Sequence, residues 1–261
     1  MGRRPRIDLA GFHHVVNRGI QRNNIYKSDE DKYKFLEIVC KSCEIYKVNI
    51  HDYCLMDNHY HLLIETTTEN LSLYMRQINS NYAKYFNKKY KRSGYLWQGR
   101  YSSWYITGEK YLYDLFRYIE HNPIEANMSK RIGEYPFTLV ASIININQEV
   151  IECAKYSKLK SEIEHEGIQE HLEMALTKKE RKELEKEQNK KPIKTEYGYK
   201  YAKDKTLREH FNMCETKRQR NDAIVNAIED GYKQIEVAKY LKLSNSAISK
   251  IVLGTIKSVN S

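Results

Sequence analysis

The order of strand and helix patterns between residues 11 and 106 constrains the fold of this chain more than any other feature. Residues 11–20 alternate apolar and polar side chains, which predicts a strand. Residues 28–48 then space apolar side chains along one helical face, with Ser28 as a suitable N-cap and acidic residues in the first turn. The first two elements are therefore a strand and a helix.

A hairpin, a second helix and a last strand complete this order. Residues 49–56 and 59–66 are strand-like and flank an Asp-Asn pair that suits a tight turn. Apolar side chains then recur at helical spacing over residues 71–94, and residues 95–106 predict a fourth strand. This order predicts an α+β fold, the ferredoxin-like split βαβ sandwich, with a four-stranded antiparallel sheet and helices on one face.

Two histidines lie one residue apart in the second strand of the hairpin. His59, His61 and Leu63 share one face of that strand, and the aromatic and aliphatic residues between them share the other. We expect the helices to cover the apolar face, which leaves the histidines on the open face. Two imidazoles in this spacing can bind one divalent ion. The alternative is a pair of hydrogen-bonded, partly buried histidines.

A third predicted helix is the candidate to lie across this open face. Its apolar side chains are spaced over residues 109–119, and Pro123 is expected to stop it. Tyr118 and Asn122 stand four residues apart and so leave one face of the helix. An amide oxygen is a reasonable ligand for Mg²⁺ or Mn²⁺, and a tyrosine beside such an ion can act as a nucleophile. The alternative is that Tyr118 only packs in the core.

The charge of the chain favours a polyanionic partner. It has 44 Lys and Arg against 34 Asp and Glu, a formal net charge of +10. Nucleic acid is the first candidate and an anionic membrane surface the second. Neither a spanning segment nor a signal peptide is recognisable, so we expect a cytoplasmic protein that does not enter membranes. We therefore also expect its five cysteines to be reduced, with Cys40 packing in a helix.

Cationic and aromatic residues in the first half of the chain suit contacts with a DNA backbone and stacking of unpaired bases. Core packing is the open alternative for the two aromatic residues among them. The predicted contacts are Arg18, Arg22, Arg76, Arg92, Trp97, Arg100 and Tyr101.

The second half of the chain is predicted to be helical, and its last part has the pattern of a helix-turn-helix. Asn245, Ser246, Ser249 and Lys250 would face a DNA major groove from its last helix, although a small three-helix core gives the same pattern. The expected organisation is a first domain over 1–130, a helical extension over 131–176, a charged linker over 177–220 and a helix-turn-helix module over 221–261.

Three short motifs, taken together and in order, resemble those of the single-tyrosine HUH transposases. They are "LMDNHYHLLIE" at residues 55–65, "RSGYLWQGRY" at 92–101 and "YIEHNP" at 118–123. Within these transposases, the chain is most similar to the branch associated with repetitive extragenic palindromes. The resemblance covers about residues 9–128. Asp57 departs from the proline expected in many relatives, which should alter the turn and leave the chemistry unchanged.

This resemblance implies a metal-dependent endonuclease and strand transferase that acts on single-stranded or hairpin DNA. His59, His61 and Asn122 would bind Mg²⁺ or Mn²⁺, and Tyr118 would form a 5′-phosphotyrosine intermediate. The resemblance does not decide whether the protein is a homodimer, or whether the tyrosine acts within one subunit or across two. Two alternatives are a non-catalytic helix-turn-helix DNA-binding regulator and an HUH nuclease of replication initiation or plasmid mobilisation, which the absence of a Gly-rich phosphate loop disfavours.

Overall fold

The computed structural model divides the chain into two compact units, one spanning Arg6–Gln188 and the other consisting chiefly of Asn189–Ser261. The residues that the structure describes are 7–145, 149–166, 169–189, 192–195, 198–201, 206–212, 214, 216–230 and 232–259. Among these residues, no helix combines the length and the apolar character needed to span a bilayer.

The larger unit is built on a four-stranded antiparallel sheet with the spatial order β2-β3-β1-β4. The α+β ferredoxin-like fold predicted from the sequence is thereby confirmed. Its strands are β1 (Gly11–Arg18), β2 (Val48–Met56), β3 (His59–Thr66) and β4 (Ser102–Tyr105), and its first two helices are α1 (Asp29–Tyr46) and α2 (Leu71–Lys89).

One face of the sheet packs against α1 and α2. Tyr60, Leu62 and Ile64 of β3 point to this side and are fully buried. The ring of Tyr60 lies 4.8 Å from that of Phe35 on α1, and its hydroxyl donates to Oδ1 of Asn79 on α2. The alternation of β3 therefore sends its apolar residues into the main core and its histidines to the opposite face.

A third helix, α3 (Glu109–Glu125), covers that opposite face. The expectation that Pro123 stops this helix is wrong, because the helix continues through Pro123 to Glu125. Proline removes the N–H that would bond to the carbonyl of Ile119. The Asn122 amide lies 3.4 Å from that carbonyl and donates to the carbonyl of Tyr118 at 2.7 Å, which compensates locally.

The fourth strand is shorter than the 95–106 expected from the sequence, because only Ser102–Tyr105 pair along β1. The residues before it run as a loop that is fastened to the end of β1. Ile20 N–H donates to the carbonyl of Leu96, and Gln98 N–H donates to the carbonyl of Arg18. Trp97 and Tyr101 therefore do not alternate along a strand face.

The helices after α3 pack back onto the larger unit. They are α4 (Leu139–Ile144), α5 (Lys158–Glu166), α6 (Gln169–Glu173) and α7 (Lys178–Asn189), with a 3₁₀ turn at Glu152–Ala154. Buried Arg117 on α3 donates to Glu180 of α7 at 2.8 Å and to the carbonyls of Met174 and Ala175. The first part of the predicted 177–220 linker is therefore a docked helix.

Cys40 on α1 and Cys153 form a disulfide, with 5.0 Å between their Cα atoms. The expectation that Cys40 is a reduced thiol packed in its helix is therefore wrong. The 3₁₀ turn that carries Cys153 packs beside α1, which is a tertiary contact that the spacing of cysteines along the sequence does not encode.

The smaller unit has its own core. A two-stranded ribbon, β5 (Pro192–Thr195) and β6 (Gly198–Tyr201), precedes α8 (Leu207–Phe211), α9 (Lys217–Glu229), α10 (Gln234–Leu241) and α11 (Asn245–Val259). Ile224, Val237 and Ile248, one from each of the last three helices, are fully buried together. The spacing of α10 and α11 agrees with the predicted pattern, and a helix-turn-helix that reads DNA stays a prediction, as do the expected domain boundaries.

Candidate active site

Three histidines and one tyrosine meet where α3 crosses the sheet. The ring of Tyr118 lies 5.6 Å from that of His61 and 6.0 Å from that of His14, measured between centroids. The ring of His59 lies 5.1 Å from that of His61. The two histidines and the tyrosine that the sequence predicts to act together are thus brought together, and His14 of β1 joins them.

Strand register explains this convergence. On β1, Val16 pairs with His61 and Arg18 pairs with His59, so alternate residues of both strands share the α3 side of the sheet. His14 lies two residues before Val16 on the same side. β1 and β3 are the central strands of the sheet, and they bring His14 and His61 to the same ring of Tyr118 on α3.

The hydrogen bond of His59 fixes which of its ring nitrogens is available to a ligand. Its Nδ1 lies 2.6 Å from Oδ1 of Asn58, and the Asn58 amide nitrogen in turn donates to the carbonyl of Arg22. Since that amide oxygen can only accept, Nδ1 of His59 is the donor. Its Nε2 is therefore the nitrogen with a free lone pair, the state that metal binding requires.

Both predicted histidine ligands are uncharged at neutral pH. Burial, followed by the positive charge of Arg18, lowers the pKa of His59 to about 4. Burial, and then the neighbouring imidazoles, lower the pKa of His61 well below its usual value. Neutral imidazole is the form that binds a metal ion.

Tyr118 is half-buried under these groups, and its phenol is protonated at neutral pH. Burial raises its pKa above the ordinary value, and the carboxylate of Glu125 raises it further. The positive charges of Arg181 and Arg18 act in the opposite direction. A nucleophilic role for Tyr118 therefore requires that its proton be removed as it attacks.

Asn122 lies one helical turn after Tyr118. Its amide nitrogen donates back to the carbonyl of Tyr118, so the carboxamide is held by its own helix. The oxygen Oδ1 is then the atom that could bind a metal ion. His121, the neighbouring residue in the sequence, is buried and points elsewhere, because its Nε2 donates to the carbonyl of Leu172 at 2.8 Å.

The donor set fits a divalent cation. Within the described residues, no three His, Cys, Asp or Glu side chains are grouped as a metal site. The predicted donor set is instead two imidazoles, at least one with its Nε2 lone pair free, and the carboxamide of Asn122, which lies one helical turn from Tyr118. Nitrogen and amide oxygen donors are compatible with Mg²⁺ and Mn²⁺, and the neutral ligands leave charge on the ion for a phosphate.

Some of the predicted DNA contacts lie beside this site. Arg18 is half-buried on β1 opposite His59. Arg22 is exposed in the turn that follows β1, where its carbonyl accepts a hydrogen bond from Asn58. Trp97 pairs through its backbone with Gly19, but its half-buried indole packs against Tyr60 on the α2 side of the sheet and donates to the carbonyl of Asn79. Of these three residues, Arg18 and Arg22 lie at the end of the sheet where His59 begins β3.

Other predicted contacts lie elsewhere. Arg76 is exposed on α2, in the layer opposite to the histidines, and Arg100 is exposed in the loop before β4. Arg92 lies 5.6 Å from the ring of Phe86. Tyr101 is only 7% exposed and packs in the core, the alternative that the sequence leaves open for it. Stacking of bases on Trp97 and Tyr101 stays a prediction.

In the smaller unit, the residues predicted to face a major groove lie at the start of α11. Asn245, Ser246 and Lys250 are exposed and Ser249 is half-buried. Their side chains are therefore accessible, which duplex binding requires, and binding itself stays a prediction.

His14 is the residue of the site that the sequence analysis misses. Its Nε2 lies 3.0 Å from Nδ1 of His61, and its ring is 1% exposed. A signal for it exists in the sequence, because a histidine within the apolar stretch "FHHVV" is as unexpected in a buried strand as His59 and His61 are. Only the strand register tells that it faces His61.

A buried pair of carboxyl groups also escapes the sequence analysis. Asp52 of β2 and Glu120 of α3 are within hydrogen-bond reach of each other, two residues from Tyr118 along the helix. The pairing of β2 with β3 shifts register between Ile50 and Asp52, as in a β-bulge, and this irregularity turns Asp52 towards α3.

Comparison with known proteins finds one family model and two solved structures that are similar to part of the chain. Residues 11–122 match the model of a family described as IS200-like transposases. A solved REP-associated tyrosine transposase bound to a REP hairpin is 20% identical, with a TM-score of 0.46, and the match covers 54% of this chain and 84% of that one. A transposase candidate from Deinococcus radiodurans R1 is 14% identical, with a TM-score of 0.33 and coverage of 49% and 94%. No curated protein sequence matches the chain.

Proposed function

We propose that the IS200-like transposase domain formed by residues 11–122 cleaves and rejoins single-stranded DNA through a covalent link to Tyr118. The observation that carries this proposal is the position of the Tyr118 ring, 5.6 Å from the ring of His61 and on the same side of the sheet as His59. A phenol beside two neutral imidazoles supports this proposal, because the phenol can act as a nucleophile and the imidazoles can bind a metal ion that assists phosphoryl transfer.

His59, His61 and Asn122 would hold a divalent ion, Mg²⁺ or Mn²⁺. Such an ion, when bound, polarises the scissile phosphate and stabilises the negative charge that develops on it. The hydrogen bonds from His59 to Asn58 and from Asn122 to the carbonyl of Tyr118 keep two of these ligands in place before the ion arrives.

The chemical step is a transesterification. The oxygen of Tyr118 attacks phosphorus as its proton leaves to solvent or a base, and the bond between phosphorus and the 3′ oxygen breaks. That oxygen takes up a proton, so the products are a 5′-phosphotyrosine and a free 3′-OH. One phosphoester replaces another, so a second 3′-OH can attack the phosphotyrosine and join a new strand without an energy source.

A single strand next to a hairpin is the substrate that the sequence resemblance implies. Arg18 and Arg22 support this proposal, because they put positive charge at the end of the sheet where His59 lies. The net charge of +10 favours DNA in general. The half-buried position of Tyr118 restricts access to its hydroxyl, which favours an unpaired strand over a duplex.

The test is the formation of a covalent adduct. The full-length protein is incubated with a labelled single-stranded oligonucleotide that contains a palindromic hairpin, in Mg²⁺, in Mn²⁺ and in chelator. We expect an adduct that resists denaturation and depends on the metal. Tyr118→Phe should abolish it. Tyr113→Phe is the matched control, because Tyr113 lies on the same helix and its hydroxyl donates to Glu162, away from the histidines.

Two outcomes would reject the proposal. An adduct that forms equally with Tyr118→Phe would mean that another residue is the nucleophile. Unchanged cleavage by His59→Ala or His61→Ala would remove the metal site from the mechanism.

For the smaller unit we propose binding to duplex DNA through the start of α11. The support is the core shared by α9, α10 and α11 and the exposure of Lys250 at that end. Lys250→Ala should weaken binding to duplex DNA. Lys239→Ala, which changes an exposed lysine of α10, should not. If only this binding is found, with no adduct, the regulator alternative replaces the enzyme.

A further inference from the structure

We propose that His14 is a positioning residue that accepts the Nδ1 proton of His61 and so keeps Nε2 of His61 free to bind the metal ion. This inference rests on the proposed metal site. It gives a residue of β1 a role in the metal site, in addition to the two histidines of β3.

The first observation is a direct contact between two buried imidazoles. Nε2 of His14 lies 3.0 Å from Nδ1 of His61, and the two residues are 1% and 4% exposed. At this distance, one proton lies between the two nitrogens, since two protons would clash and none would leave two lone pairs facing each other. The proton is bonded either to Nδ1 of His61 or to Nε2 of His14.

Which of these two nitrogens carries the proton determines whether Nε2 of His61 can bind a metal ion. If Nδ1 of His61 carries it, the second nitrogen of that ring has a lone pair for the metal ion. If Nε2 of His14 carries it, a neutral His61 must carry its own proton on Nε2, which excludes the metal ion there. Binding of a metal through Nε2 therefore requires His14 to act as the acceptor.

Packing holds His14 in place for this role. Its ring stacks on that of Trp104 of β4 at 5.2 Å and on that of His61 at 5.3 Å. The edge of its ring also meets Tyr118, at 6.0 Å. His14 thus touches a predicted ligand and the predicted nucleophile, although neither of its nitrogens is offered to the metal ion.

The second ring nitrogen of His14 also indicates that this histidine is present for its hydrogen bond to His61. Nδ1 of His14 is buried and has no hydrogen-bond partner among the described residues. A phenylalanine would fill a similar space in this apolar setting without an unpartnered polar atom. A histidine here is therefore explained by the one hydrogen bond that it does make, to His61.

His13, the preceding residue, gives a matched control. It is equally buried, but it faces the other side of the sheet, where its Nε2 donates to the carbonyl of Leu9 at 2.8 Å. His13→Phe and His14→Phe remove a buried hydrogen bond each from the same strand. Only the second change removes an acceptor from His61.

The first test reads the proton directly in the wild-type protein. Nitrogen-15 NMR with labelled histidines, in metal-free protein and with Mg²⁺, shows which ring carries the shared proton and whether a coupling crosses the hydrogen bond. We expect a coupling between the two rings in both samples and, with Mg²⁺, a proton on Nδ1 of His61. A proton on Nε2 of His14 in the Mg²⁺ sample would overturn the proposal.

The second test measures the affinity for Mn²⁺ in the absence of DNA. We expect His14→Phe to weaken binding about 10- to 100-fold, as loss of such a partner typically does. His14→Gln should recover most of it, since a glutamine oxygen reaches about as far as Nε2 of histidine and accepts the same proton. His13→Phe should bind Mn²⁺ as the wild type does.

These measurements separate this inference from the proposed function. If the wild-type protein binds no Mn²⁺, or if His61→Ala binds it as well as the wild type does, the metal site itself is wrong. If Mn²⁺ binding depends on His61 but His14→Phe binds Mn²⁺ as tightly as the wild type does, the metal site stands and the role of His14 is rejected.

Discussion

Asp52 of β2 and Glu120 of α3 form a fully buried carboxyl pair that joins the sheet to the helix carrying Tyr118. Glu120 also accepts a hydrogen bond from the backbone of Val140 at 3.0 Å. Asp52 Oδ2 and Glu120 Oε2 are buried and receive no hydrogen bond from a donor group in the described part of the chain. A proton shared between them explains how two carboxyl groups can be buried together.

The first prediction concerns the pH dependence of stability. Burial raises the pKa of Asp52 well above its usual range and that of Glu120 to about 7. The folded protein therefore binds more protons than the unfolded chain between about pH 4 and 7, and its free energy of unfolding falls as pH rises through this window. Asp52→Asn supplies a permanent N–H donor to Glu120, so we expect a smaller fall in urea unfolding experiments from pH 5 to 8.

Asp31 provides the control for this prediction. Burial alone would raise the pKa of Asp31, and hydrogen bonds from Lys89 and Tyr90 outweigh it and lower the pKa. Its contribution to stability is therefore lost only as pH falls below the usual range of aspartate. Asp31→Asn should lower stability at every pH from 5 to 8 and leave the slope unchanged. An identical slope for Asp52→Asn and the wild type would contradict the shared proton.

The second prediction concerns the docking of α7. Arg117 is 4% exposed and is the donor for Glu180 and for two backbone carbonyls. Arg117→Met removes the buried guanidinium that donates to all three of these partly exposed acceptors, which should cost about 1.5–3 kcal/mol of stability. Limited proteolysis should then cut the chain near residues 174–178. Lys110→Met is the control, because the ammonium of Lys110 is exposed where it pairs with Asp114 and Glu183, and these pairs should contribute about 0–1 kcal/mol.

The sequence predicts the elements of the larger unit because each has a local signal. Asp31, three residues after the N-cap Ser28, accepts from the Ser28 backbone and marks the start of α1. The alternation of apolar and polar residues in β3 is enough to place Tyr60 on one face and His59 and His61 on the other. Two imidazoles, a carboxamide and a phenol can therefore be proposed together from spacing alone.

What the sequence does not predict depends on contacts between distant segments. Facing of His14 and His61 is set by strand register, and the turn of Asp52 towards α3 is set by an irregularity in β2. The end of α3 is missed because a side chain, Asn122, compensates for Pro123. Docking of α7 depends on Arg117, which a charged sequence such as "TKKERKELEKEQNKK" does not reveal.

The third prediction separates Asn122 from its neighbour His121 as the metal ligand on α3. Histidine is the commoner ligand, yet His121 faces Leu172. We expect Asn122→Ala to weaken Mn²⁺ binding about 10-fold or more and Asn122→Asp, which keeps an oxygen ligand, to preserve it. His121→Gln should leave the affinity unchanged while lowering thermal stability. Loss of Mn²⁺ binding in His121→Gln, with Asn122→Ala unaffected, would exchange their roles.

The last prediction distinguishes two arginines that the sequence predicts as DNA contacts. Arg18 lies opposite His59, and its charge lowers the pKa of Tyr118, whereas Arg76 lies on α2 behind the sheet. A strand that reaches Tyr118 should therefore contact Arg18 and stay away from Arg76. We expect Arg18→Ala to slow adduct formation at least 10-fold and to reduce the slope of log affinity against log salt by about one. Arg76→Ala should change neither by more than about two-fold. Equal losses in the two variants would mean that the DNA also follows α2, and a loss confined to Arg76→Ala would put the strand on the other face of the sheet.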